Sequence, residues 1–338
     1  MGAVSSLNGQ ARAHAAQRIS NLFAPIATDL DEAERIFSAE LASHSPFVQD
    51  LVDHCSLFRG KRLRPALLLL AGQACGGIRP AHSVLAAVIE MIHTATLIHD
   101  DILDEAVIRR HAATVNSEWG NEAAVLMGDF FFTHAFHLAA SLESTLACRW
   151  IGHATNLVCE GEMLQVHQRG NLELDEEQYY AIIRGKTAEL TAVACRLGAH
   201  YAGATECVVE DLGSYGRELG VAFQIADDVL DLWGEEAQAG KSLGTDVVKQ
   251  KLTLPIIRFL ATAPATDAQR ARELISLPGP TARAQLIQML SDSDAREFSW
   301  ASAQASSDRA IQKLAVLPES QARTILKRLA EAVIRRSA

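Results

Sequence analysis

The sequence has little proline, few aromatic residues and no excess of positive charge. Nine prolines and 6% aromatics in 338 residues speak against an all-β protein assembled from many short strands. A formal charge of −10 argues against a generally basic surface for nucleic acid or anionic lipid. Any phosphate-bearing ligand must then be held by a local basic cluster or through metal ions. No apolar run reaches the ~18 residues of a membrane span, the longest being 66–71, so no transmembrane segment is expected. The six cysteines (Cys55, Cys75, Cys148, Cys159, Cys195, Cys207) form no C-x-x-C pair, which argues against zinc-ribbon and thioredoxin-like sites. Their apolar, helix-forming neighbours suggest buried free thiols in a reducing compartment. Glycine-rich strand-to-helix turns are also missing, which disfavours dinucleotide-binding and P-loop folds.

What remains is ordinary globular material, 49% apolar and 21% charged, so disorder of the whole chain is excluded. The first twenty residues carry two arginines, and no acid precedes Asp29. They are expected to form a flexible tail. Their composition also fits a transit peptide, and Gly2 with Ser6 fits a myristoylation pattern. The default location is the cytoplasm. Pro65 and Pro80 bracket the first strongly apolar segment, and no proline occurs between Pro80 and Pro255. That stretch is rich in strong helix formers. Val84, Val88, Met91, Ala95 and Ile98 recur at helical spacing. With no linker and no repeat, residues 21–338 are expected to form one large all-α domain, a helical bundle surrounding a central active-site cavity.

Two segments carry the chemistry. In IEMIHTATLIHDDILDEAVIRRH, Asp100, Asp101 and Asp104 occupy i, i+1 and i+4. On a helix they lie at about 0°, 100° and 40° and share a quarter of the circumference. Like charges at this spacing destabilise a helix, so such a group is kept more readily when cations neutralise it. A solvated acidic face is the ordinary explanation of one such cluster, but GVAFQIADDVLDLWG repeats the spacing with Asp227, Asp228 and Asp231, preceded by Gln224. Two carboxylate faces turned toward each other would make a cage for hard cations. Mg²⁺ suits it, since it takes one or two carboxylates and completes its octahedron with water and phosphate oxygens.

Basic residues accompany both clusters. Arg109 and Arg110 follow the first, and an unbroken helix would point them away from Asp100, so the chain is expected to leave helical geometry and fold back. Lys241, Lys249 and Lys251 follow the second, while Lys61, Arg62 and Arg64 precede the apolar helix near Pro65. Acidic cages beside separate basic loops match two diphosphate ligands, one bridged by metal and one gripped directly.

These segments resemble the trans-isoprenyl diphosphate synthases of the polyprenyl synthetase family. The resemblance is carried by GKRLRP (60–65), IHTATLIHDDILDEAVIRRHAATVN (92–116), GDFFFTHAF (128–136), EGEMLQ (160–165), RGKTAEL (184–190), FQIADDVLDLWG (223–234) and GKSLGTDVVKQKLTLP (240–255). It implies an isoprenoid synthase-type fold and a trans-prenyltransferase, with a medium or long-chain product favoured. Such an enzyme condenses isopentenyl diphosphate head to tail onto an allylic prenyl diphosphate. By the same resemblance the six aspartates hold about three Mg²⁺, with Mn²⁺ a possible substitute. Arg109, Lys186, Lys241 and Lys251 grip the allylic diphosphate. Lys61, Arg64, His93 and Arg110 bind isopentenyl diphosphate, and Lys186, Thr187 and Gln224 lie near the developing carbocation. Asp246 and Glu162 recur in these motifs as hydrogen-bond partners or supports for metal ligands. A homodimer without nucleic-acid partners is implied.

Two positions depart from the pattern. Gln250 stands where a glycine is usual before the lysine, and His111 replaces a glycine after the arginine pair. Product length is expected to depend on the helix before Asp100. Ala95, Thr96, Ile92 and Val88 are not aromatic, which leaves open a gate that a bulky residue closes in short-chain members. Phe131 or Phe132 on the opposing wall would set a geranylgeranyl-like limit. The alternatives are a terpene cyclase of the same fold, disfavoured by the intact second D-D-x-x-D, and a non-catalytic subunit of a heteromeric synthase, disfavoured by all six aspartates. The His99-Asp100 pair alone is weak evidence for a metal phosphohydrolase.

Overall fold

The computed structural model describes residues 22–58, 60–110, 112–234, 244–277 and 279–335. The N-terminal tail, His111 and Lys241 lie outside the described residues. The chain divides into two compact units: unit 1 draws on Met1–Cys148, Ala194–Val209 and Leu317–Leu326, and unit 2 on Arg149–Val193, Glu210–Val316 and Lys327–Ala338.

The helices of unit 1 begin with α1 (Ala27–Glu40), α2 (Pro46–Cys55), α3 (Leu63–Ala74) and α4 (Pro80–Leu103). A two-stranded hairpin follows, β1 (Ile108–Arg109) and β2 (Ala112–Ala113), and then α5 (Val115–Ala140). Prolines at the first position of α2 and α4 start those helices where a missing N–H costs nothing. Helix α3 begins at Leu63, two residues before Pro65, and Arg62 precedes it in a left-handed conformation. Four consecutive leucines, Leu67–Leu70, have no accessible surface, so the middle of α3 is buried on every side, while Gln73 near its end is exposed. Its backbone approaches the segment around Gly198 so closely that a methyl group there would collide with the Leu68 carbonyl. Helix α4 packs along α5 and against α1.

Unit 2 contains most of α6 (Leu146–His167), then α7 (Glu176–Ile183), a single π-helical turn at Arg184–Ala188, and parts of α8 (Glu189–Tyr201) and α9 (Glu206–Trp233). It continues with α10 (Thr245–Val248), α11 (Leu254–Thr262), α12 (Ala265–Ser276), α13 (Pro280–Ser291) and α14 (Ala295–Lys313). The C-terminal helix is α15 (Gln321–Ile334). A reciprocal capping box sets the start of α7, with Gln178 N donating to Asp175 Oδ1 (2.8 Å) and Gln178 Oε1 accepting from Asp175 N (3.2 Å). Tyr179, Ile225, Leu254, Phe259, Leu286 and Leu290 belong to the apolar core of this unit.

The structure bears on two sequence expectations. Helices Pro80–Leu103 and Val115–Ala140 are long and apolar enough to cross a membrane by length and composition, although no continuous apolar run reaches that length. In α4, 72% of the most apolar window is buried inside the fold, whereas in α5 only 33% is. The cysteines also divide: Cys55 and Cys195 are buried, but Cys159 on α6 and Cys207 in the first turn of α9 are exposed. All six are free thiols.

Candidate active site

The first aspartate cluster occupies the C-terminal end of α4, with Asp104 as its cap. A helix C-terminus carries partial negative charge, so three carboxylates there deepen a potential that favours cations. The chain then leaves helical geometry and returns as the hairpin, whose register pairs Arg109 with Ala112. This fold-back brings Arg109 onto Asp101. Arg109 Nε donates to both carboxylate oxygens (2.9 and 2.8 Å), and its Nη2 stands 2.7 Å from Oδ1. Asp101 is only 1% exposed, so its charge is compensated in place.

The hairpin is fixed from outside. His54 Nε2 is 2.7 Å from the Ala113 carbonyl, and its ring stands edge-on to Phe58 and Trp119. The Arg110 guanidinium donates to the Phe58 carbonyl. Basic residues of the 60–65 segment divide by direction. Arg62 turns away to pair with Glu34 (2.7 Å) and Glu90 (3.2 Å). Arg64 Nη1 donates to His93 Nε2 at 3.0 Å, which makes His93 a neutral acceptor. Burial first, and then Arg64, Arg110 and Arg109, hold the His93 pKa well below the usual imidazole range. Arg64, His93, Arg109 and Arg110 therefore form one electropositive group in unit 1, the property an anionic ligand requires; Lys61 is exposed beside it.

Ala95, Ile92 and Val88 have no accessible surface, while Thr96 is partly exposed and its hydroxyl is tied to the His93 carbonyl at 2.8 Å. Phe131 is buried against Phe37 with ring centroids 5.9 Å apart, and Phe132 is half-buried beside His99. His99 fits only because residue 128 is glycine, since any Cβ there would overlap its ring.

The second cluster lies at the C-terminal end of α9, again at the negative end of a helix. Asp228 is 4% exposed and accepts from Tyr179 Oη (2.7 Å) and Gln224 Nε2 (2.8 Å). Both donors are neutral. Burial, with repulsion from Asp246 and Asp227, pushes the Asp228 carboxyl up to about 8, against the lesser lowering by these two hydrogen bonds. Asp231 accepts from Thr245 Oγ1 (3.1 Å) and from the Asp246 amide (3.2 Å). Thr187 Oγ1 donates to Gln224 Oε1 at 2.8 Å. Lys186 pairs with Glu162 and donates to Gln165 Oε1 at 2.8 Å. Lys251 is buried, and its amide donates to the Asp246 carbonyl at 2.9 Å.

The Gln250 departure now has a physical explanation. Its φ is +52°, the left-handed region that favours glycine. Among the described residues only Arg62, Glu105, Arg110 and Gln250 show positive φ without being glycine. Each lies in or beside a candidate ligand-binding segment, where backbone strain tends to collect. Tyr179, the buried donor to Asp228, is not revealed by sequence pattern, since it belongs to no charged or glycine-marked motif.

Comparisons with known proteins show the family. The Polyprenyl synthetase family matches residues 45–292. The all-trans-nonaprenyl-diphosphate synthase (geranyl-diphosphate specific) of Rhodobacter capsulatus is 35% identical over 310 residues, 91% of this chain and 95% of that protein. The octaprenyl diphosphate synthase of Escherichia coli is 38% identical over 278 residues, 82% of this chain and 86% of that protein. A polyprenyl synthase from Caulobacter crescentus, crystallised with calcium and isoprenyl diphosphate, superposes with a TM-score of 0.90 at 33% identity. That superposition covers 95% of this chain and 98% of the other. The chain belongs to the polyprenyl synthetase family and has the all-α isoprenoid synthase fold. Its activity is that of a trans-prenyltransferase, condensing isopentenyl diphosphate with allylic prenyl diphosphates.

Proposed function

We infer that this enzyme makes a medium or long all-trans polyprenyl diphosphate, using Mg²⁺ held by its aspartate clusters. The carrying observation is the pair of D-D-x-x-D clusters, each at the negative end of a long helix. The donor set fits a hard divalent cation: clustered carboxylates, with the charge of the buried Asp228 opposed first by burial and then by Asp246 and Asp227. Among the described residues no three His, Cys, Asp or Glu close on one ion position by themselves. Bound Mg²⁺ supplies Lewis-acid stabilisation of the departing diphosphate.

The chain's own residues do the rest. Arg109, Lys186 and Lys251 neutralise the allylic diphosphate as its charge grows, and Lys241 belongs to the same set by its motif. Lys61, Arg64, His93 and Arg110 hold isopentenyl diphosphate through direct donors. Neutral His93 serves by presenting its Nδ1–H while Nε2 accepts from Arg64. Thr187 and Gln224 turn oxygen dipoles toward the developing cation, and surrounding apolar side chains keep water away. Relatives named for nonaprenyl and octaprenyl products support the longer product class. So do the small residues Ala95 and Thr96 before Asp100.

The exposed apolar side chains Val125 and Leu126 on α5 support self-association as a homodimer. We place the enzyme in the cytoplasm; the burial of α4 supports packing as the role of that apolar helix.

Incubation of purified protein with Mg²⁺, labelled isopentenyl diphosphate and primers of increasing length tests this reading through the extracted products. Products of about eight to ten isoprene units are expected, and the absence of any condensation product overturns it. Ala95→Phe is expected to shorten the main product while condensation persists. An unchanged product would move the length determinant to another helix.

A further inference from the structure

Three hydrogen bonds in unit 2 run in one direction. Tyr179 Oη donates to Asp228 Oδ2 (2.7 Å), Gln224 Nε2 donates to Asp228 Oδ1 (2.8 Å), and Thr187 Oγ1 donates to Gln224 Oε1 (2.8 Å). Tyr179, Thr187 and Asp228 are all buried. In the ionised form that a bound divalent cation favours, the Asp228 carboxylate can only accept, so the amide of Gln224 must turn its NH₂ toward it. Its oxygen then faces Thr187, and the single hydroxyl proton of Thr187 is committed to that oxygen. What Thr187 presents elsewhere is lone pairs. With the amide reversed, Gln224 Oε1 would face a carboxylate oxygen, and its NH₂ would claim one of Thr187's lone pairs.

We propose that Tyr179 and Asp228 are positioning residues that fix the orientation of the Gln224 amide, so that Thr187 turns lone pairs rather than a proton toward the developing allylic cation. The inference rests on the functional reading above and gives Asp228 a role distinct from its neighbours. Both of its oxygens are engaged by protein donors, and its work is to set the polarity of a hydrogen-bond chain. Tyr179 locks the carboxylate from the side opposite Gln224. The π-helical turn at Arg184–Ala188 carries Thr187 to the end of this chain.

The test combines Tyr179→Phe, Thr187→Val, their double variant, and Asp228→Asn against Asp227→Asn. Tyr179→Phe is expected to lower kcat about tenfold, with both KM values within twofold of the parent. Calorimetric affinity for geranyl diphosphate with sulfur in place of its bridging oxygen should stay within about twofold, since ground-state binding is untouched. On the Thr187→Val background, Tyr179→Phe should cost less than about twofold more, because the two act in one chain. An Asn at position 228 accepts from Gln224 and donates to the Tyr179 oxygen, so the order of the chain survives. Asp228→Asn should therefore move the Mg²⁺ half-saturation less than threefold, and Asp227→Asn more than tenfold.

Multiplicative losses in the double variant overturn the proposal, as does an Mg²⁺ shift in Asp228→Asn equal to that in Asp227→Asn. Should Tyr179→Phe fail to fold, the Asp228→Asn comparison decides alone. A parent chain that makes no prenyl product overturns the functional reading and this inference with it. A working parent whose variants behave otherwise overturns only the inference.

Discussion

The two aspartate clusters share a spacing and a position at helix ends, yet the protein treats their charge in opposite ways. In unit 1 the buried Asp101 is met by a guanidinium fork from Arg109. In unit 2 the equally buried Asp228 meets a phenol and an amide, neither of them charged. Burial is the first cause of both pKa shifts; beyond it, the arginines of unit 1 lower His93, whereas Asp246 and Asp227 of unit 2 raise Asp228. The buried carboxylate of the first cluster thus carries a charged partner, and that of the second carries neutral donors. Sequence periodicity alone makes the two motifs look equivalent; their surroundings make them different.

The strongest challenge to this contrast is to remove one carboxylate from each cluster. Asp227→Ala and Asp100→Ala should each lower turnover at saturating Mg²⁺ by about a hundredfold or more. Circular dichroism should show both variants still helical. Near-normal turnover in either would break the assignment of that cluster to metal.

Arg109→Ala sharpens the comparison through stability. It leaves Asp101 buried without its fork, which should destabilise the chelator-treated protein by about 2 kcal/mol, a figure reduced because Arg109 is a quarter exposed. Mg²⁺ should restore part of the loss in thermal melts. No loss in chelator would mean that Asp101 is not held by this pair.

The two halves should also respond to pH with opposite signs in chelator. His93 has a depressed folded pKa, so its contribution is present above the unfolded value near 6.5 and is lost as pH falls below it. Asp228 has a raised folded pKa, so its contribution is present below the unfolded value near 3.8 and is lost as pH rises through about 8. Between 6.5 and 8 only the Asp228 slope should show, and melting temperature should fall. Asp228→Asn should flatten that limb, and His93→Gln should flatten the loss below 6.5. An alkaline limb unchanged in Asp228→Asn would place the titration elsewhere.

The smallest effect separates two left-handed residues. Gln250→Gly should stabilise the protein by about 1 kcal/mol or less, since glycine adopts positive φ without the Cβ clash. Arg62→Gly should instead destabilise it, because the Arg62 side chain holds Glu34 and Glu90. Denaturant midpoints compare the two, and equal signs would refute the distinction.

Much of the fold and site is legible in the sequence because it lives in local pattern. Apolar spacing marks α4 and α9, and the angle between Asp100 and Arg109 requires the chain to fold back, as the hairpin does. The basic segment is visible in the sequence but its directions are not: Arg62 turns to Glu34 and Glu90 and Arg64 to His93, partners remote along the chain. Tyr179 is hidden for the same reason, its partner lying on another helix. The glycine habit at position 250 acquires a cause only with the backbone angle. The exposure of Cys159 and Cys207 runs against the sequence expectation because local apolar neighbours do not report which helix face points outward.

The π-helical turn at Arg184–Ala188 behaves as one residue too many between α7 and α8. Gly185 seats its backbone so close to α6 that a methyl group there would come 2.8 Å from the Leu157 carbonyl. Deleting one residue within the turn would let α7 and α8 fuse into an ordinary helix, with every residue beyond the cut rotated by about 100° about its axis. Such a chain would keep its composition, its helix content and all six aspartates. Thr187 would nevertheless be swung off Gln224, and the buried side chains of α8 would be turned with it, so a single lost codon would misalign the reaction centre.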